Sequence, residues 1–263
     1  LIVFALSRLI PGDPATTLLG PGATSAQIAA LEAQLRLDEP PFWQFFSYLG
    51  GVLQGDLGRS LKSGAAVTQE LLERLPATLE LAVGAMLVAL VIGIPIGVLS
   101  AIRANTLLDH GVRLVSLAGV SMPAFLLAVL LQLVFGIWLG WLPISGRSSP
   151  YFLGDPVTGF AVLDGFLTGD PEAAWDAARH LVLPVMVLAA FLAATLARFV
   201  RNAMLEAMAE DYIRTARSKG LPERSVVFVH GLRNALLPAL TVLGIKFAEL
   251  LGGAILTETV FAW

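Results

Sequence analysis

The chain has no cysteine, three histidines, three tyrosines and little charge: Asp, Glu, Lys and Arg make up only 14% of its 263 residues. Without cysteine there is no disulfide framework, no thiolate metal site and no cysteine nucleophile. His110, His180 and His230 stand 70 and 50 residues apart, a spacing that proposes no metal site. Walker A, G-x-G-x-x-G, H-E-x-x-H and G-x-S-x-G sequences are all missing, so neither an enzyme nor a cofactor site has residues to rest on. A net charge of −3, from 17 basic and 20 acidic residues, gives no support to a nucleic-acid partner. What fills the space is apolar. The AVILMFWYC set accounts for 56% of the chain. With glycine counted in and tyrosine left out this rises to about 64%, against roughly 45–50% in soluble domains. That composition excludes a disordered chain and points to lipid as the solvent.

Four stretches are long and apolar enough to cross a bilayer. Leu81 to Ile102 runs 22 residues without a charge. As a helix this reaches ~33 Å, enough for a hydrocarbon core of ~30 Å. Leu114 to Gly146 is also uncharged, and its helix is expected to end near Trp138-Leu139-Gly140-Trp141, where two Trp suit the interface. Leu181 to Ala197 is the third span, with Arg198 and Arg201 able to snorkel at its end. The fourth, Asn234 to about Thr257, is apolar apart from Lys246 and Glu249. Pro95, Pro123, Pro184 and Pro238 are expected to interrupt the spans, and Gly93-x-x-x-Gly97 and Gly136-x-x-x-Gly140 permit close helix packing.

Basic residues orient the spans. Segments 103–113 and 198–233 hold nine Lys and Arg in 47 positions, against six in the 105 positions of 9–80 and 147–179. The excess assigns 103–113 and 198–233 to the cytoplasm and the acidic loop 147–179 to the outside. Leu1 to Leu6 is apolar but too short to span, and reads as the tail of a truncated first helix (1–8) rather than a cleaved signal. The chain stops at Trp263 just as the fourth span emerges, so a last helix is expected beyond it. Between, 9–76 forms an extracytoplasmic helical region. Pro11-Gly12-Asp13-Pro14 is a turn cluster, and Thr24 with Gln27 resembles a capping box opening a helix that Asp38-Glu39-Pro40-Pro41 closes. Phe42, Trp43, Phe45, Phe46 and Tyr48 then suit either a helix lying at the membrane interface or a lid.

Lys246 and Glu249 are the only charges well inside a span. Three residues apart, they share a helix face and can pair. Unpaired, each would cost ~2.5–3.5 kcal/mol on insertion scales, so the face looks into protein or water. Both a structural pair and a path-lining site remain open. The most ordered polar stretch is 203–233. It reads as a helix over about 203–219 stopped by Gly220 at a C′ position, then a second helix opened by Pro222 and Glu223. Tyr212, Ile213, Ala216 and Leu221 make an apolar stripe beside Arg214, Arg217, Lys219 and Arg224, a pattern suited to docking a partner.

At this segment the wording Asp211-Tyr-Ile-Arg-Thr-Ala-Arg-Ser-Lys-Gly-Leu221, followed by His230-x-Leu-Arg-Asn-Ala-Leu-Leu-Pro238, resembles the permease subunits of ABC importers. Within them it is similar to the dipeptide/oligopeptide/nickel branch. The superfamily's Glu-Ala-Ala-x3-Gly signature is matched by Arg214-Thr215-Ala216 and Gly220, with Arg in place of the leading acid. The resemblance extends through Leu37-Asp38-x-Pro40, Gly55-Asp56-Leu57-Gly58-x-Ser60 and Arg74-Leu75-Pro76-x-Thr78-x-Glu80-Leu81. It continues in Ser121-Met122-Pro123-Ala124-Phe125, Trp141-Leu142-Pro143 and Glu258-x-Val260-Phe261-x-Trp263, so it covers nearly the whole chain. Arg36, where the family has Gly, and the charges of Lys246 and Glu249 depart from it.

The resemblance implies an all-α, polytopic helical bundle of the type I importer kind, with 77–263 as the transmembrane domain, in a bacterial or archaeal plasma membrane. It implies a second permease, two cytoplasmic ATPase subunits and an extracytoplasmic solute-binding protein as partners, and no bond chemistry in this chain. Asp211, Tyr212, Arg214, Thr215, Ala216, Arg217, Lys219, Gly220 and Leu221 fall on its ATPase-coupling segment. The substrate class it implies is peptides or a related small solute such as nickel chelates. A self-sufficient secondary transporter or channel would account for the spans and for Lys246 with Glu249, but not for the ordered basic segment.

Overall fold

The computed structural model describes residues 19, 22–34, 39–60, 63–152 and 157–263. Pro11–Pro14, the apolar Leu1–Leu6, and Arg36, Leu37 and Asp38 lie outside the described residues. The chain divides into two compact units, Leu1–Leu75 and Pro76–Trp263. Among the described residues all regular structure is helical, with one isolated bridge between Arg59 and Ala66.

In the first unit, α1 (Ser25–Gln34) opens as the sequence predicts. Thr24 N–H donates to Gln27 Oε1 at 2.9 Å, and Gln27 N–H donates back to Thr24 Oγ1 at 3.4 Å, satisfying two orphan amides reciprocally. The aromatic cluster forms α2 (Pro41–Leu53), started by Pro41 at its first position, where a missing N–H costs nothing. Phe42, Trp43, Phe46 and Tyr48 are exposed on it, with the Phe42 and Phe46 rings 4.7 Å apart.

The helix α3 (Val67–Ile102) begins in the first unit and contains the first predicted span. The second span differs from expectation. It starts earlier, at α4 (Leu107–Ser121), and turns by 102° into α5 (Ala124–Leu131), which continues as a π-helix over Gln132–Trp138. Pro123 is the cause: it has no N–H for the preceding turn, and Met122 before it is held extended at φ −77°, ψ 130°. Pro95, Pro184 and Pro238, by contrast, lie inside continuous helices, so only one of the four prolines breaks its span. Pro184 is fully buried against neighbouring helices, a setting in which a proline inside a span is tolerated.

After a short α6 (Ala161–Leu167) comes α7 (Pro171–Ala209), 39 residues long and about 58 Å at 1.5 Å per residue. Asp170 caps it, accepting from the N–H groups of Glu172 and Ala173. This helix is the hub. Leu192, Leu196, Val200 and Met204 pack with Ala89, Val98 and Ala101 of α3. Gly93 and Gly97 make that contact possible: a Cβ on Gly97 would lie 2.7 Å from Ala197 O and 2.8 Å from Val200 Cβ. The small-residue motif predicted at 93–97 is therefore a true seam. Gly136-x-x-x-Gly140 is not a second one, because Gly140 sits beyond the helix in the left-handed region at φ 62°.

The helix expected over 203–219 is two helices. α7 ends at Ala209, Glu210 is extended, and α8 spans Asp211–Ser218. A single turn at Glu223–Ser225 and a π-helix at Val226–Gly231 then lead into α9 (Leu232–Gly253), the fourth predicted span. Ala235, Ala239 and Leu243 of α9 join the α3–α7 core. α10 (Ile255–Phe261) follows, with Phe261 buried against Ala128, Leu183 and Val187. Among the described residues three helices are long and apolar enough to cross a membrane, and four spans result if the bent pair counts as one. The fold is a polytopic helical bundle.

Candidate coupling site and transport path

The polar segment after α7 folds into a small, tightly tied unit. Ile213 and Ala216 turn inward from α8 and bury against Val226 and Met208. Gly220, at φ 74°, takes the left-handed conformation that ends the helix. Gly220 N–H donates to Arg217 O at 2.9 Å and Leu221 N–H to Ala216 O at 3.4 Å, the paired bonds of a Schellman cap. Arg217 then grips Glu223 with both Nη2 (2.7 Å) and Nε (3.2 Å), closing the turn.

Of the residues singled out in the sequence, Asp211, Tyr212, Arg214, Thr215, Arg217, Lys219, Gly220 and Leu221 are all exposed. Ala216 is interior and supports the surface from behind. Asp211 and Arg214 pair at 3.3 Å on the most open part of α8. The result is a short helix with an apolar back, a charged front and a fixed attachment to the end of the longest helix. A solvated loop that merely satisfies the positive-inside tendency would not need this cap, this buried back or this clasp.

Lys246 and Glu249 pair at 2.6 Å on α9, a turn beyond Leu243 on the same side of the helix as Ala239. Their side chains are 34% and 58% exposed, so the described residues cover Lys246 in part and leave Glu249 largely open. Leu237, Leu240 and Ile245 are exposed on the same helix.

Two polar clusters escaped the sequence reading. The first is at the basic end. Asp109, the one acid in 103–113, is fully buried in the first turn of α4. It accepts from Arg201 Nε at 2.6 Å and Nη2 at 2.7 Å, so Arg201 is an ion-pair partner and does not snorkel.

The second is at the other end. Glu80 accepts from Arg147 Nη2 at 3.0 Å and from the N–H groups of Ala161 and Val162 at 3.2 and 2.9 Å. Arg147 also donates to Gly159 O at 2.7 Å and lies over the Trp263 ring at 5.6 Å. Trp263 Nε1 donates to Ala77 O at 3.1 Å, and Thr78 Oγ1 to Glu258 Oε1 at 2.6 Å. In the loop nearby, burial pushes the Asp164 carboxyl up. The Thr158 hydroxyl and the N–H groups of Thr158, Gly159 and Val157 outweigh it and hold the group below its usual range. The signal available in the sequence was a lone acid at each span edge. The stretches Arg74–Leu81 and Glu258–Trp263, noted for their wording alone, meet at Thr78–Glu258 and Ala77–Trp263.

Known proteins share this chain along its full length. The profile of the family described as binding-protein-dependent transport system inner membrane component matches residues 93–263. A second, for the N-terminal part of the membrane component in such systems, matches residues 1–82. The di/tripeptide transport system permease protein DppB of Pseudomonas aeruginosa is 48% identical over 265 residues, covering 100% of this chain and 79% of its own length. The probable D,D-dipeptide transport system permease protein DdpB of Escherichia coli is 48% identical, with 100% and 77% covered. The glutathione transport system permease protein GsiC of Salmonella choleraesuis is 38% identical, with 100% and 76% covered. With a helical bundle of the right kind and matches at this level from end to end, the chain belongs to the family of binding-protein-dependent transport-system inner-membrane components, the permeases of ABC importers.

Proposed function

We propose that this permease moves peptides across the plasma membrane, with α8 and the following turn as the seat of a cytoplasmic ATPase. The observation that carries the reading is α8 itself: a capped helix whose apolar back is buried and whose charged front is open, joined to α7 through the single extended residue Glu210. Segments 103–113 and 198–233 face the cytoplasm, and 9–76 with 147–179 face outside, as the distribution of Lys and Arg suggests. Two ATPase subunits supply the energy and a solute-binding protein delivers the substrate to the outer end. A second permease lies against α9, since the most apolar stretch of that span is only 17% buried within this chain. The peptide class rests on the relatives' names: di/tripeptide, D,D-dipeptide and glutathione permeases. ATP-driven closure of the ATPases would move α8 as a rigid piece and switch the bundle between inward- and outward-open states.

Arg214→Glu tests the docking assignment, since Arg214 is open and pairs only with the equally open Asp211 among the described contacts. In vesicles carrying the whole importer, peptide uptake is expected to fall about tenfold or more with membrane insertion unchanged, the size of an ordinary coupling energy. Arg217→Glu is a less clean change because it also breaks the clasp on Glu223. Normal uptake and normal substrate-stimulated ATP hydrolysis in Arg214→Glu would remove α8 as the docking helix.

A further inference from the structure

Asp109 has more partners than a capping acid needs. Besides the two bonds from Arg201, it accepts from Ser100 Oγ at 2.5 Å and from Asn105 N–H at 2.9 Å, with Arg113 3.6 Å away. Asn105 is held in the left-handed region at φ 63°, which aims its N–H into the carboxylate. Ser100 belongs to α3, Asn105 to the turn between helices, Asp109 to α4 and Arg201 to α7. One buried carboxylate thus ties three helices at the same level. The tie sits one turn beyond the Gly97 contact, where α3 and α7 already touch backbone to side chain. Arg201 lies eight residues before Ala209, the last residue of α7 ahead of α8. That is ~12 Å of helix.

This placement matters for force transmission. A push on α8 reaches the bundle through the last turns of α7. If those turns swung alone, the movement would be lost in a local bend. With Asp109 bonded on all sides, α7 cannot move at this level without α3 and α4. We propose that Asp109 and Arg201 are a positioning pair that makes the inner ends of α3, α4 and α7 one rigid body, so that motion of α8 is passed to the spans. The proposal rests on the reading of α8 as the ATPase-docking helix.

The test uses the whole importer in vesicles and measures peptide uptake and ATP hydrolysis together. Asp109→Asn keeps the shape and some hydrogen bonds but removes the charge that holds Arg201. Stimulated ATP hydrolysis is expected to stay within about twofold while uptake per ATP falls about tenfold, the range of a lost coupling. Unchanged uptake per ATP in an assembled complex would overturn the pair's role. A second measurement leaves the pair intact. Because the chain has no cysteine, spin labels can be placed at Leu107→Cys and Asn202→Cys alone. Their separation is expected to stay constant within about 2 Å between nucleotide-free and ATP-bound states, as a rigid-body movement requires. A larger change would overturn the proposal whatever Asp109→Asn does. Arg214→Glu keeps the two readings apart: normal coupling there sinks the docking assignment, whereas uncoupling there with mobile labels sinks only the positioning pair.

Discussion

α7 and α9 are both long apolar helices, yet this chain treats them differently. The most apolar stretch of α7 is 61% buried by the chain itself, and that of the span containing α9 only 17%. α7 touches α3, α4, α6 and α9 and carries a partner at nearly every turn. α9 gives one stripe, Ala235, Ala239 and Leu243, fully to the core and leaves much of its remaining surface exposed. In lipid, apolar surface by itself drives no association, so exposure of Leu240 or Ile245 costs little. Exposure of Lys246 and Glu249 is another matter, since charges at that depth need protein or water around them. The contrast separates what the single chain stabilises from what it presents to its surroundings.

Gly97→Leu is the hardest blow to that contrast. The added side chain would strike Ala197 O and Val200, and a backbone oxygen cannot yield as a flexible side chain can. A loss of at least about 3 kcal/mol is expected, at the upper end of overpacking costs, seen as failure to purify as a folded species. Next comes a matched pair of truncations. Leu196→Ala, in the α7 core, is expected to cost about 2–5 kcal/mol. Ile245→Ala, on the open face of α9, is expected to change the stability of the chain alone by less than about 0.5 kcal/mol. Thermal unfolding in detergent measures both, and equal losses would break the comparison. The smallest effect on stability should follow Lys246→Leu with Glu249→Leu, again within about 0.5 kcal/mol. Peptide uptake distinguishes its two roles: altered uptake with intact assembly marks a path-lining pair, and unchanged uptake marks a structural one.

Much of this was legible from residue order. The spans follow from uncharged runs, the Thr24–Gln27 cap from a local motif, and the end of α8 from Gly220, because each depends on neighbours within a turn. The single helix read over 203–219 failed at Glu210, where no Gly or Pro marks the break. The chain leaves helix there because Ile213 and Ala216 gain a buried seat against Val226 by turning. Prolines misled in the other direction. Pro95, Pro184 and Pro238 look like Pro123 in sequence, but only Pro123 is preceded by an extended residue at a bend. Propensity names the candidates for a break, and packing selects among them.

The same division runs through the candidate site. The sequence by itself determined the solvent, the helical class, the basic side and the open polar face of the segment 211–221, since these rest on composition and on periodicity along one helix. Only the tertiary structure decided which charges meet. Asp109 finds Arg201 across 92 positions and Glu80 finds Arg147 across 67. No spacing rule reaches so far. Such pairs exist because packing brings α4 against α7 at Asp109–Arg201 and the loop after the π-helix against α3 at Glu80–Arg147, contacts that no local rule along one helix encodes.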